Sequence, residues 1–199
     1  MTVESHPLEP FLPQDATILF LGSFPPPRAR WSMNFFYPNF NNDFWRIMGL
    51  VHFGNPSHFV APDGKHFHYE SIVDFCRAAG LALFDTATKV RRLKDNASDA
   101  FLEIQEPTDV GALLARLPLC HTIVTTGGKA SEQLAALLQT SPSCEAAIDV
   151  PSPGKYVDLT AFGRQLRWWR MPSSSRAYPL PLATKAAAYA QLFPNLPEE

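Results

Sequence analysis

Cysteine is scarce in this sequence, and long apolar runs are absent. The 199 residues include three cysteines, which are far apart and form no CxxC pair: Cys76, Cys120 and Cys144. This spacing does not indicate a disulfide framework or a thiolate zinc site, so we expect ordinary thiols in a reducing compartment. No apolar stretch approaches the roughly 20 residues of a membrane span. The first residues also lack the pattern of a secretory signal. We therefore expect a soluble, cytoplasmic protein that has no membrane partner.

Charged side chains are also few, at 18% of the residues, and the formal net charge is −2. This balance disfavours binding to nucleic acid through overall positive charge, although it leaves room for a local basic face. Hydrophobic residues make up 46% of the chain, which excludes full disorder. The length predicts a single domain, 1–199, in which residues 1–14 form an irregular N-terminal segment.

Glycine is less frequent than proline, with 10 glycines against 19 prolines. Proline fixes φ and stiffens loops. The prolines cluster at 25–27, 151–153, 172 and 179–181. These clusters predict loops of fixed shape, and binding residues concentrate on such loops.

Short apolar runs alternate with helical segments along the chain. The runs at 16–21, 81–84 and 121–126 predict buried strands, and weaker strands are predicted at 146–150 and 165–170. Helices are expected at 43–48, 69–79, 108–117, 129–139 and 182–193. This alternation predicts an α/β protein, a three-layer α/β/α sandwich with a central, mainly parallel sheet of four to five strands. Ligands of such sheets bind at the carboxyl ends of the strands, so the loops after residues 21, 84, 126 and 170 are the candidates for function.

The loop after the first strand is rich in aromatic residues. It includes Phe35 and Phe36, whose rings are suited to stacking on a flat base, and Phe44 and Trp45, which fit a core position better. A stacked base contributes about 1–3 kcal/mol. Asn42 has two interpretations, a helix cap or an amide that holds a water molecule or a ring edge.

Polar side chains follow the other strands. Asp85 comes directly after the second strand and fits either an acceptor for ring N–H groups or a turn cap. A basic run follows it, which is either a solvated face or part of a ligand surface: Lys89, Arg91, Arg92 and Lys94. The last loop contains Ser173, Ser174 and Ser175 beside Arg176, an arrangement suited to a phosphate if it is not a plain surface turn.

Several common catalytic motifs are missing. The turn at Gly127-Gly128-Lys129 does not fit a Walker A loop, and the chain has no GxSxG, HExxH or GxGxxG. His66 and His68 are two residues apart with no evident third ligand, so no metal site is predicted.

Taken in order, the loop motifs resemble those of the uracil-DNA glycosylase superfamily. In its hypoxanthine-DNA glycosylase branch the corresponding motifs are similar to GSMPG, GIALWD, NGKKA and LPSTSPA. Here they are Gly22-Ser23-Phe24-Pro25-Pro26, Gly80-Leu81-Ala82-Leu83-Phe84-Asp85, Thr126-Gly127-Gly128-Lys129-Ala130 and Met171-Pro172-Ser173-Ser174-Ser175-Arg176-Ala177. In addition, Asn42-Asp43-Phe44-Trp45 resembles the NRFW-type segment of the mismatch-specific branch. The resemblance extends over residues 16–193 and is greatest to these two branches.

The chain departs from the superfamily at two positions. Phe24 stands where the main uracil branches have a water-activating Asp or Asn, and Met171 stands where the last motif often has a His. The hypoxanthine branch also lacks the first group and uses an asparagine before the FW pair. The resemblance therefore implies Asn42 as the catalytic residue, with Asn39 and Asn41 as alternatives.

The resemblance implies a monofunctional DNA repair glycosylase that flips uracil or hypoxanthine out of DNA and hydrolyses its N-glycosidic bond. It implies that the base contacts Ser23, Phe24, Phe35, Phe36 and Asp85, and that DNA contacts Lys89, Arg91, Ser173, Ser174, Ser175 and Arg176. The expected partner is DNA with a deaminated base, the expected state is a monomer, and no cofactor is required. Two alternatives are a catalytically inactive DNA-binding protein of the same fold and an unrelated α/β hydrolase or nucleotide-binding enzyme.

Overall fold

A computed structural model of the chain describes residues 2–93, 101–141 and 148–194. The strands in chain order are β1 (Val3–Ser5), β2 (Ile18–Gly22), β3 (Leu81–Asp85), β4 (Ala87–Arg92), β5 (Leu102–Pro107), β6 (Thr122–Thr126), β7 (Lys155–Ala161) and β8 (Arg164–Met171). The α-helices are α1 (Phe44–Phe53), α2 (Tyr69–Ala78), α3 (Val110–Ala115), α4 (Gly128–Thr140) and α5 (Leu182–Ala190).

The central sheet has five strands in the order β3-β2-β6-β8-β7. Strands β3, β2, β6 and β8 are parallel, and only the edge strand β7 is antiparallel to its neighbour. The prediction of a mainly parallel sheet is confirmed. The fifth strand is β7 rather than the predicted 146–150. Residues 148–150 are not in a strand, and 146–147 lie outside the described residues.

Helices cover both faces of this sheet. On one face, the ring of Phe20 in β2 contacts Phe44 of α1, which in turn contacts Tyr189 of α5. On the other face, the hydroxyl of Thr125 in β6 lies 2.8 Å from that of Ser131 in α4. Because Thr125 pairs with Leu21 and side chains alternate along a strand, Phe20 and Thr125 point to opposite faces. The predicted three-layer arrangement is therefore confirmed.

Helix α1 is longer than the sequence predicted. A stop was expected at Gly49, but the helix continues to Phe53 and ends at Gly54, which has φ of +61°. Gly49 is buried inside the helix, where a Cβ atom would collide with the carbonyl oxygen of Asn55. This glycine therefore allows the following chain to pass close to the helix and does not end it.

A second, three-stranded sheet has the order β1-β4-β5. Val3 pairs with Arg91 in antiparallel register, so the predicted irregular structure of residues 1–14 is wrong over Val3–Ser5. The basic run also begins in a strand, because β4 extends to Arg92. Only Ala87 and Val90 of β4 are buried, so its apolar pattern is too sparse to indicate a strand.

Two of the three cysteines are buried within the core. Burial raises the pKa of the Cys120 thiol to about 11, and burial raises that of Cys76 further. Both side chains are therefore protonated, unreactive thiols, whereas Cys144 lies outside the described residues. Among the helices that the structure describes, none is both long and apolar enough to cross a membrane.

Candidate functional site

A cavity of about 650 Å³ opens at the carboxyl ends of β2, β3, β6 and β8. The four loops singled out from the sequence all contribute to it. The residues around it are Leu8, Gly22, Ser23, Phe24, Pro25, Pro26, Arg30, Phe36, Tyr37, Pro38, Asn39, Asn41, Asn42, Asp85, Thr126, Ser173, Ser174, Ser175, Arg176 and Ala177. The parallel strands bring these distant segments together because their carboxyl ends share one edge of the sheet.

Asp85 is a buried carboxylate in this lining, with 8% of its surface exposed. It is the register partner of Gly22 on β2, and a Cβ atom at position 22 would collide with Asp85 Oδ1. Gly22 is thus required so that the carboxylate can lie against the β2 backbone. The other oxygen, Oδ2, lies 2.8 Å from Nε2 of His6. An ionised carboxylate at this position presents acceptors only.

Aromatic rings form one wall of the cavity. Phe24 is buried and packs on the small cluster of Ala87 and Val90 beneath the second sheet. Phe36 is 4% exposed and lines the cavity, whereas Phe35 does not and packs in the core against Trp45. Of the two phenylalanines predicted to stack on a base, the structure therefore brings only Phe36 to the site.

Tyr37 also lines the cavity, although the sequence analysis did not select it. Its ring stacks on Phe44 with centroids 3.8 Å apart, and its hydroxyl lies 2.9 Å from that of Thr126. The backbone of Tyr37 has φ of +49°, a conformation that costs energy for a side chain of this size. The stacking and the hydroxyl contact hold the strained residue in place. Phe44 and Trp45 are fully buried, which fits the expected core position.

All three candidate asparagines line the cavity. The Asn42 Oδ1 atom accepts a hydrogen bond from the N–H of Phe44 at 2.9 Å, so Asn42 does satisfy the start of α1. Asn39 Oδ1 accepts from the N–H of Asn41 at 3.0 Å. Within the described part of the chain, the Asn42 amide NH₂ group has no hydrogen-bond partner, which leaves a donor for a ligand or a water molecule.

The loop of Ser173, Ser174 and Ser175, called the serine loop below, lines the cavity beside the start of α4. Ser173 Oγ accepts from the N–H of Ser175, and a Cβ at Gly127 would approach Ser173 Cβ to 3.4 Å. Gly127 has φ of +98° and directly precedes α4. The loop therefore places Ser173 next to a helix N-terminus, as expected for an anion-binding loop, while Ser174 is 3% exposed.

An ion-pair network centred on the buried Asp43 attaches the serine loop to the segment that contains the three candidate asparagines. Lys185 of α5 is 1% exposed, and its Nζ lies 3.1 Å from Asp43 Oδ2. The same ammonium donates to the carbonyl oxygen of Ser175 at 2.8 Å. Arg176 completes the network with an Nη2 to Asp43 Oδ1 distance of 3.3 Å. Sequence analysis missed Asp43 and Lys185, although a lysine between Leu182 and Tyr189 on the apolar stripe of α5 was an available signal.

The basic residues of β4 lie apart from the cavity. Lys89 pairs with Glu106 at 2.6 Å and Arg91 with Glu103 at 3.1 Å, and neither lines the cavity. Arg92 instead donates to the carbonyl oxygen of Pro25 at 2.6 Å and so fixes the first loop. Arg30 is exposed, and among the described residues that line the cavity the cationic side chains are Arg30 and Arg176.

The histidines considered for metal binding have other contacts. His66 Nδ1 contacts the Asp63 carboxylate, and His68 Nδ1 accepts from the N–H of Ser71 at the start of α2. The described residues contain no group of three His, Cys, Asp or Glu side chains placed to hold a metal ion.

No protein-family model and no curated protein sequence matches this chain. A solution NMR structure from Methanosarcina acetivorans, described as a candidate uracil DNA glycosylase, superposes with a TM-score of 0.64. The alignment covers 98% of this chain and 99% of that chain at 22% identity. The two proteins share a fold.

Proposed function

We propose that this protein is a DNA glycosylase of the uracil-DNA glycosylase superfamily, related to the hypoxanthine-specific and mismatch-specific branches. It hydrolyses the N-glycosidic bond of a deaminated base, uracil or hypoxanthine, as a cytoplasmic monomer. The observation that carries the proposal is the cavity itself. The fold is shared with a candidate uracil DNA glycosylase, and the cavity is lined by an acceptor carboxylate, aromatic rings, the serine loop and Arg176. Its volume is within the usual range for small-molecule sites.

The base occupies the cavity after it has been extruded from the duplex, which costs a few kcal/mol of unstacking. Phe36 stacks on the base, with Phe24 at the side of the pocket. Asp85 accepts the N–H that uracil and hypoxanthine both present beside a carbonyl, and the backbone near Ser23 binds the rest of that edge. These contacts offset part of the cost of extrusion, because a stacked base contributes about 1–3 kcal/mol.

Asn42 orients the attacking water, and Asn39 and Asn41 are the alternatives for this role. The water oxygen bonds to the sugar C1′ as the C1′–N bond breaks, and the bonding electrons leave with the base. An amide is too weak a base to take the water proton early. It contributes by orientation, which is worth several kcal/mol when the geometry is correct. The Asn42 NH₂ group and the second lone pair of its Oδ1 remain for this water.

The serine loop and Arg176 bind the DNA backbone beside the extruded nucleotide. Hydroxyls and N–H groups at a helix N-terminus suit a phosphate. Arg176 lies half-exposed at the same edge, so it acts as a phosphate clamp or as a wedge in the space left by the base.

A glycosylase panel tests the proposal. Duplex and single-stranded DNA carrying uracil, hypoxanthine or xanthine are incubated with the protein, and abasic sites are detected by strand cleavage in alkali. Release of uracil or hypoxanthine in preference to unmodified bases supports the proposal.

A second candidate function is a catalytically inactive DNA-binding protein. It is favoured by the positions where relatives of the superfamily hold catalytic groups, because Phe24 and Met171 are buried apolar residues here, 8% and 0% exposed. DNA binding without abasic product on any of these substrates would support this candidate and contradict the glycosylase.

A further inference from the structure

His6 is a buried polar residue whose contacts converge on the cavity wall. Its side chain is 4% exposed. The imidazole ring is 4.5 Å from the ring of Phe84 and 5.3 Å from that of Phe24, measured between centroids. Its distance to Phe36 is 6.2 Å. A histidine from the N-terminal segment thus lies among the side chains that surround the proposed base pocket.

The imidazole makes a defined polar contact at each nitrogen. Nε2 lies 2.8 Å from Asp85 Oδ2, and Nδ1 lies 3.1 Å from the backbone nitrogen and 2.9 Å from the carbonyl oxygen of Leu8. With a proton on Nε2 and none on Nδ1, the ring donates to Asp85 and accepts from the Leu8 N–H.

The N-terminal segment is held in place by contacts of its own. Strand β1 pairs with β4 up to Ser5, next to His6. The His6 N–H donates to the Thr88 carbonyl at 2.7 Å. Glu4 lies 3.0 Å from Arg92, which also binds Pro25 of the first loop. The pairing of β1 with β4 and the hydrogen bond to Thr88 therefore fix the position of His6.

We propose that His6 is a positioning residue for Asp85 and so determines which bases the cavity accepts. By occupying Oδ2, His6 fixes the carboxylate with Oδ1 beside Gly22, and Asp85 and Gly22 both line the cavity. A fixed acceptor favours bases with a lactam N–H, such as uracil and hypoxanthine. It disfavours adenine and cytosine, which present a ring nitrogen lone pair at the corresponding position. This inference rests on the proposed function, because it concerns the same pocket.

Binding of free bases tests the inference without depending on catalysis. Dissociation constants for uracil, hypoxanthine, adenine and cytosine are measured by ligand-observed NMR for the wild type, His6→Ala and His6→Gln. The matched control is His66→Gln, which alters a histidine paired with an aspartate at the surface. Thermal melting checks that each variant is folded.

The wild type and His66→Gln should bind the two lactam bases more tightly than adenine or cytosine. His6→Ala should weaken lactam binding by about tenfold or more, since a hydrogen bond to a charged group is lost. His6→Gln should restore much of it, because its amide can donate to Asp85. A merely structural role predicts no change in the preference among the four bases.

The outcomes separate the inference from the proposed function. Undiminished preference for lactam bases in a folded His6→Ala protein overturns the role of His6 and leaves the glycosylase proposal standing. A folded His6→Gln protein that is no better than His6→Ala also overturns it. If the wild type binds none of the four bases, the base pocket and the role of His6 are overturned together.

Discussion

Asn42 combines a structural contact with a proposed catalytic one. Its Oδ1 accepts from the Phe44 N–H at the start of α1, while its amide NH₂ faces no partner among the described residues. The two roles respond differently to substitution, because several side chains can accept the Phe44 N–H and few can orient a water molecule.

Substitutions at Asn42 distinguish these roles. Asn42→Ala should cost about 1 kcal/mol of stability, because its hydrogen bond from the Phe44 N–H is lost, and should slow base excision by about a hundredfold or more. Asn42→Ser can restore that hydrogen bond but not the rate. Asn42→Asp keeps the acceptor for Phe44 and adds a general base, so its rate on uracil should equal or exceed that of the wild type. Single-turnover excision and thermal melting are measured on the same four proteins.

DNA binding by the Asn42 variants should hardly change, because the proposed phosphate contacts are made by the serine loop and Arg176 and not by the Asn42 side chain. Full excision activity in Asn42→Ala would contradict the assignment, and Asn39 and Asn41 would be the next positions to substitute.

At the scale of secondary-structure elements, Lys185 and Asp43 join α5 to the segment before α1. Their charged atoms are 3.1 Å apart, and the lysine is almost completely buried. The same ammonium binds the Ser175 carbonyl, so the pair also holds the serine loop next to the asparagines. Loss of Lys185 leaves the buried Asp43 carboxylate with the half-exposed Arg176 as its remaining counter-ion. Loss of Asp43 leaves the buried Lys185 ammonium without its carboxylate.

Lys185→Met should therefore lower the free energy of unfolding by about 3–5 kcal/mol. The control is Lys89→Met, which breaks an exposed pair with Glu106 and should cost about 0–1 kcal/mol. Both are measured by urea denaturation. Asp43→Asn combined with Lys185→Met should cost less than the sum of the two single substitutions. An equal loss of stability in Lys185→Met and Lys89→Met would show that the buried ion pair stabilises the protein no more than the exposed one.

His52 lies in the last turn of α1 and packs against Phe75 of α2 and against Phe193. Its ring lies 4.8 Å from that of Phe75 and 4.4 Å from that of Phe193. The Nε2 atom is buried with no hydrogen-bond partner in the described structure. Burial lowers the pKa of His52 from 6.5 to about 4.

The pH dependence of stability follows from this lowered pKa. Above pH 6.5 the histidine is neutral in both the folded and the unfolded chain. Between pH 6.5 and about pH 4 the unfolded chain binds a proton that the folded protein does not, so stability should fall as the pH falls. His52→Phe should reduce this slope. Urea denaturation of both proteins across the pH range measures it, and identical slopes would exclude His52 as a source.

At the scale of the whole molecule, a net charge of −2 must be reconciled with the proposed binding to DNA. In the described part of the chain, the cations that line the cavity are Arg30 and Arg176, whereas Lys89 and Arg91 are paired with glutamates on the second sheet. The proposed DNA surface therefore depends on a few arginines around the cavity and not on overall charge.

Arg176→Ala and Arg30→Ala should each weaken DNA binding and reduce the slope of log affinity against log salt concentration by about one. Ser173→Ala should weaken binding modestly without changing the slope, because the serine is uncharged. Lys89→Ala is the comparator and should leave the slope unchanged. Fluorescence anisotropy with labelled duplex over a salt series measures these values. A slope that changes only in Lys89→Ala would place the DNA surface on β4.

The sequence by itself determined the central sheet and the edge that carries the cavity. The apolar runs of β2, β3 and β6 and the weaker pattern of β8 are local signals, and parallel strands separated by helices bring their carboxyl ends to one side. Asp85 ends β3, and Asn42 and the serine loop follow β2 and β8, so their meeting at the cavity followed from the order of strands and helices. The edge strand β7 did not, because its polar and exposed residues give no apolar run.

The tertiary structure alone decided which side chains from separate elements contact each other. His6 and Asp85 are 79 residues apart, and Asp43 and Lys185 are 142 apart. No local pattern encodes such pairs, because they depend on how separate elements approach each other. The same holds for the choice between Phe35, which packs in the core, and Phe36, which faces the cavity. Strand β1 pairs with the edge of β4, and this pairing, not the strand propensity of a short polar segment, brings His6 next to Asp85.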